Sequence, residues 1–160
     1  MATLITARAG LVTFGATVPK PGGGYFASYD LKGFYDLSAP TIPCLLALLD
    51  LEEQPGWQTL ASLGGGPYTE FTMYHYALWE PVADNPDFTY IEPDILAIID
   101  NYRAALAATP FLTPDSAPSI HSAPHVQWAI KRSTWGVGAD PKKEVTYYSV
   151  IFRLACRINQ

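Results

Sequence analysis

Apolar residues along this 160-residue chain recur with two periods, and the switch between them marks out its elements. Between positions 4 and 18 the residues Leu4, Ala7, Leu11, Phe14 and Val18 come at steps of three and four, which is one stripe of a helix. Gly10 and Gly15 weaken that helix, and Pro19 with Pro21 ends it. A cleaner stripe passes through Ile91, Ile95, Ile98, Ile99, Tyr102 and Leu106. It predicts a helix beginning near Glu92, with Pro93 in the first turn, Glu92 and Asp94 complementing the positive end of the dipole, and Thr109-Pro110 as the stop.

Elsewhere the period falls to two. Residues 68–80 are rich in Thr, Tyr, Phe and Trp, which favour a pleated surface. One face would carry Phe71, Met73, His75, Ala77 and Trp79, the other Thr72, Tyr74, Tyr76 and Leu78. Both faces are largely apolar, so a central strand covered on both sides is expected. Val126, Trp128 and Ile130 alternate with polar residues and predict a strand over 126–132. Residues 144–158 hold the longest alternation, with Tyr148, Val150, Phe152, Leu154, Cys156 and Ile158 on one face. The apolar run Cys44-Leu45-Leu46-Ala47-Leu48-Leu49 fits a buried strand or a helix fragment, and its short length favours the strand. Residues 50–66 read as a polar connection, 84–87 and 136–143 as turns, and 110–124, with four prolines, as an irregular link. The predicted order is helix, strand, strand, helix, strand, strand. That describes one α+β domain over 1–160, a mostly antiparallel sheet of about four strands with two main helices packed on it.

Residues 22–40 fit no period. Gly22-Gly23-Gly24 predicts a mobile loop. Tyr29-Asp30-Leu31 is then echoed by Tyr35-Asp36-Leu37, too short a period for a solenoid. The segment reads as a hairpin or loop with packed aromatics, or as an extended arm that reaches a neighbouring subunit.

Composition narrows the classes. The chain is 49% hydrophobic and 16% charged, below the usual charged content of soluble domains, which fits a large core and equally a surface covered by a partner. The formal net charge of −5 argues against a grip on nucleic-acid phosphates. No segment approaches the roughly 20 apolar residues of a membrane span, and the first residues lack a secretory pattern. Cys44 and Cys156 lie far apart in apolar runs, which predicts two buried thiols in a reducing compartment rather than a bridge or a metal site.

Candidate chemistry is sparse. His121 and His125 have the i, i+4 spacing of helical metal ligands, but Pro118 and Pro124 exclude a helix and no third ligand stands nearby. His75 sits among strand aromatics, where a core or interface histidine is the default. Ser62, Ser133 and Ser149 lack the turn that exposes a nucleophile. The glycine triplets match neither G-x-G-x-x-G nor a P-loop. Glu52-Glu53, Asp84 with Asp87, Lys131-Arg132 and Lys142-Lys143 read as solvated charge. The sequence therefore predicts no catalytic, cofactor-binding or metal residue, and a protein that is not an enzyme.

From Tyr68 onward the chain resembles the tail-terminator, or tail-completion, proteins of long-tailed bacteriophages. The resemblance is carried by the aromatic strand up to Trp79, a turn, the helix from Ile95 to Leu106, and the proline-rich loop. It continues through the strand from Val126 to Arg132, a polar turn, and Tyr147-Tyr148-Ser149-Val150-Ile151-Phe152-Arg153-Leu154. It covers about 90 residues and lies in organisation rather than in an invariant motif; residues 22–37 are longer and more aromatic than that pattern. It implies a structural virion protein, made in the host cytoplasm, whose copies form a ring, usually a hexamer. The ring would sit at the head-proximal end of the tail tube, stop tube polymerisation and join head-completion or connector proteins. DNA would pass through its lumen without specific binding, and no membrane would be involved. Tyr29, Phe34 and Tyr35, with Trp135 and Lys143, are the expected subunit or partner contacts, with the core as their other assignment. A tube or connector subunit, or a small-molecule-binding α+β domain, are the competing readings.

Overall fold

In the computed structural model, which describes residues 4–49, 59–63, 66–109, 120–138 and 141–159, the first apolar stripe forms helix α1 (Leu4–Gly15). Ala7, Leu11 and Phe14 are buried along it, with Val18 just beyond. The helix stops at Gly15, short of Val18. There the backbone presses against two neighbours: a β-carbon would overlap Ser28 Oγ and sit 3.0 Å from the His75 ring. The chain leaves through a turn in which the Thr17 and Val18 amides donate to the Phe14 and Gly15 carbonyls. The glycine triplet, expected as a loop, lies in a hydrogen-bonded turn. Gly22, Gly23 and Gly24 take φ of 89°, 106° and 73°, a region open to glycine, and the Lys20 amide donates to the Gly24 carbonyl at 3.0 Å.

The segment expected as an arm or loop folds onto its own chain. It holds strand β1 (Ala27–Asp30) and helix α2 (Leu31–Asp36). Asp30 caps α2 by accepting from the Gly33 amide at 2.6 Å, and Phe34 is buried beneath it. The apolar run is strand β2 (Cys44–Leu49), as its length implied. Strand β3 (Thr59–Leu63) lies inside the stretch read as a polar connection, and β4 (Gly66–Pro81) follows.

Helix α3 (Phe88–Ala108) starts four residues before Glu92, capped by Asp87, whose carboxylate accepts from the Thr89 amide at 3.0 Å. Pro93 is thus the sixth helical residue rather than a first-turn one; it is exposed on the outer side, where it forgoes one backbone hydrogen bond. The predicted stripe is the buried one: Ile91, Ile95, Ile98, Tyr102 and Leu106. Each such side chain contributes about 1.5–3 kcal/mol relative to exposure.

Strand β5 (Ile120–Val137) begins within the proline-rich link, and β6 (Lys143–Asn159) closes the fold. Pro124 falls where the β5–β6 register shifts, between Ser122 and Val126, and β5 is an edge strand. An edge or a bulge tolerates the missing amide, so the prolines did not exclude a strand.

The strands form one sheet in the order β1-β2-β4-β6-β5, with β3 paired to β4 off that path. The β1–β2 pair is parallel and the rest antiparallel, so the chain is α+β with a mostly antiparallel sheet, as expected, but the described residues hold six strands and three helices where about four strands and two main helices were expected. Two cores flank the sheet. On the α1 and α3 side lie Leu45, Ala47, Phe71, Met73, Ala77, Val150, Phe152 and Leu154. On the α2 side lie Phe34, Cys44, Leu46, Leu78 and Tyr147. β2 and β4 feed both, which is why their sequences are apolar on both faces.

Candidate functional site

Four of the five expected contact residues converge around Phe34. Its ring lies 6.2 Å from Tyr29, 5.6 Å from Tyr35 and 6.3 Å from Trp135, although Trp135 is a hundred residues away in sequence. Trp135 is in β5 opposite Val145, not in the turn, and packs edge-on to Tyr76 at 5.2 Å. Its indole donates to Ser133 Oγ at 3.0 Å, and Ser133 in turn bonds Ser149 Oγ. Phe34, at 1% exposure, belongs to the core, the other assignment its sequence left open. Tyr29, Tyr35 and Trp135 are half-buried around it. Lys143 is exposed at the start of β6, while its neighbour Lys142 places Nζ 4.0 Å from the centre of the Tyr35 ring.

His75 lies on the other face and meets no solvent. Its Nδ1 pairs with the Tyr102 hydroxyl at 2.9 Å, its Nε2 has no partner, and Phe14 and Gly15 close the remaining sides. Burial pushes the imidazole down to about 3 and the Tyr102 phenol up, so both are neutral near pH 7. Tyr102 stacks on Phe152 at 3.7 Å, which fixes the pair in the core. The sequence default of a core histidine describes this geometry.

Two of the exposed large apolar side chains lie together on β5; the others, Ile5, Tyr25, Leu37, Tyr90 and Leu96, are spread over α1, the loops and α3. Trp128 and Ile130 oppose Phe152 and Val150 in register, so they share the α3 side of the sheet. Helix α3 covers β6 there, through the Phe88–Tyr148 and Tyr102–Phe152 ring contacts, and leaves Trp128 52% and Ile130 41% exposed. Tyr90, at the start of α3, is 72% exposed. Sequence reading placed Trp128 and Ile130 in a strand without assigning their face to core or solvent; Lys131-Arg132 beside them was the available signal of an edge strand.

Among the described residues no three His, Cys, Asp or Glu converge as metal ligands. The side chains of His121 and His125, with Ser62 and Glu52-Glu53, lie outside those residues. Cys44 and Cys156 are free, buried, and on opposite faces of the sheet. Among the described residues no helix is long and apolar enough to cross a membrane. Comparison with known families, curated proteins and solved structures gives no match.

Proposed function

We propose that this chain is a structural subunit whose copies form a ring at the head-proximal end of a long-tailed bacteriophage tail. There it ends tube growth and joins the tail to the head-completion proteins, and DNA passes through without specific binding. The observation that carries this reading is the open edge of the sheet. β5 is 18 residues long, ends the strand order, and presents Trp128 and Ile130 to solvent. Exposed aromatic and aliphatic side chains beside an unpaired strand edge favour occupancy by another protein surface. The run β4, α3, β5, β6 also keeps the element order on which the family resemblance rests. A small-molecule reading would draw on His75, but that ring is enclosed on all sides.

The test is electron microscopy of the purified protein, alone and mixed with tail-tube subunits. The expected result is closed rings with a central opening that cap tube ends. Single chains that leave tube length unchanged would overturn the proposal.

A further inference from the structure

One window of β5 is open on three sides. From Gln127 to Arg132 every side chain is exposed, so neither face of the sheet is covered there. The outer edge is open as well. β5 ends the strand order, and alternate backbone amides and carbonyls along it meet no strand among the described residues. Val126, Trp128, Ile130 and Arg132 stand opposite Leu154, Phe152, Val150 and Tyr148, on the α3 side. Gln127, Ala129 and Lys131 point to the other face, where the Arg153 guanidinium donates to the Gln127 carboxamide oxygen at 3.2 Å. The register shift between Ser122 and Val126 limits this regular edge at one end, and half-buried Ser133 follows it at the other.

The window is complementary to itself. In a two-fold antiparallel pair, directly opposed residues point to the same side, so each must come from the same face of its own sheet. Centred on Ala129, such a pair sets Trp128 against Ile130 of the second copy, twice over. Four exposed apolar side chains then form one cluster on the α3 side, where the helix leaves β5 uncovered. Arg132 comes opposite Val126, along which its aliphatic stem can lie. On the other face Ala129 meets itself and Lys131 meets Gln127. Lysine and arginine guard an edge when they confront like charge or an apolar strand; here neither faces its own counterpart. The opposite border of the sheet offers less: β1 has four residues and β3 five, against the seven of 126–132. Head-to-tail continuation of the sheet would therefore pair fewer residues than β5 with β5.

We propose that the 126–132 edge of β5 pairs antiparallel with the same edge of a second copy, about a two-fold axis through Ala129. Everything the edge needs from a partner, an open strand with apolar groups at its centre and neutral residues opposite each cation, is present on the strand itself. A two-fold contact is closed and admits no third copy. The pair therefore goes beyond the ring reading and does not depend on it: it is the form of the free subunit, its edge capped until another surface takes its place. Seven strand residues a side make a small contact, of the weak and concentration-dependent class. The charges at the window are all positive, Lys131 and Arg132 with Arg153 behind Gln127, so added salt should strengthen the pair. A nucleic acid held by the same cations would instead be released by salt.

The experiment combines light scattering with cysteine cross-linking of the full chain. The mass is expected to rise from one chain toward two with protein concentration, and further with salt. Trp128→Lys, at an exposed position, should lose about tenfold or more in association constant while its urea midpoint stays near that of the wild type. Under mild oxidation Ala129→Cys should form an intermolecular disulfide, because opposed α-carbons lie about 4.5–5.5 Å apart. Gln127→Cys and Lys131→Cys, each about 13 Å along the strand from its own counterpart, should link only when the two are mixed. Cys44 and Cys156 are buried, so the wild type should stay unlinked. A two-fold dimer that never forms rings with tube subunits would keep this contact and overturn the ring. Rings in which Ala129→Cys stays unlinked at every stage, free subunit included, would overturn this contact and leave the ring in place. A chain that is single at every concentration, or a dimer in which Gln127→Cys links alone and Ala129→Cys does not, would overturn the proposal. So would an edge that gains mass only with tube subunits or duplex DNA.

Discussion

Acid should unfold this protein through His75, and the size of the effect follows from its burial. The imidazole is enclosed, bonded only to Tyr102, and held down to about 3, whereas in the unfolded chain it titrates near 6.5. Above the unfolded value both states are neutral and pH has no leverage through this group. Below it the unfolded chain takes up a proton that the folded chain refuses, so stability falls as pH drops from about 6.5 toward about 3. The slope rises to about 1.4 kcal/mol per pH unit below the unfolded value, which amounts to roughly 2.3 kcal/mol between pH 6.5 and 4.5. Against the 5–15 kcal/mol typical of a domain, about that much is a large share. The assay is urea denaturation at several pH values for the wild type and for His75→Phe. The substitution strands the Tyr102 hydroxyl and costs about 1–3 kcal/mol, but that offset does not vary over this range. The carboxylates titrate alike in both chains, so the difference between the two profiles isolates the histidine. Parallel profiles from pH 6.5 to 4.5 would refute the argument, as would a His75 ring proton whose NMR shift titrates near pH 6.

Three further outcomes are expected. Phe34→Ala should cost about 3–5 kcal/mol in urea denaturation, because it empties the centre of the α2-side cluster, whereas Lys143→Ala on the exposed hairpin should stay within about 0.5 kcal/mol; equal losses would contradict the burial described. Gly15→Ala should destabilise by about 1–3 kcal/mol in thermal unfolding, and Ser28→Ala in the same chain should recover part of that loss, since Ser28 Oγ is the first atom met; strictly additive effects would show that the overlap is absent. The Cys44 and Cys156 thiols, which burial pushes up to about 12, should ignore a thiol reagent until denaturant is added; full labelling of the native protein within minutes would contradict their burial.

How much of this was legible beforehand depends on what each residue had to signal. The β6 alternation and the α3 stripe were readable because each element buries one face, and periodicity reports one-sided burial directly. The cap at Asp87 was not, since Pro93 offered a more familiar helix start five residues beyond Phe88. β1 and α2 escaped because a four-residue strand and a six-residue helix span too few periods for a repeat to be recognised. Pro124 hid the start of β5 for a different reason: whether a proline breaks a strand depends on its place in the sheet, and that is a tertiary property. The aromatic residues near Phe34 stood out by composition. Which of them is core was decided by α2 folding back, a fact no local pattern carries. Trp128 and Ile130 show the converse: their alternation marks a strand but does not tell that it lies on an edge where α3 leaves it exposed.

The central claim is self-assembly, and the solution mass of the purified full chain tests it most directly. Light scattering across a range of protein and salt concentrations, with and without tube subunits, should give a discrete multiple of the 17.5 kDa chain, reached alone or on addition of the tube protein. A mass that stays at one chain under every condition would contradict the account.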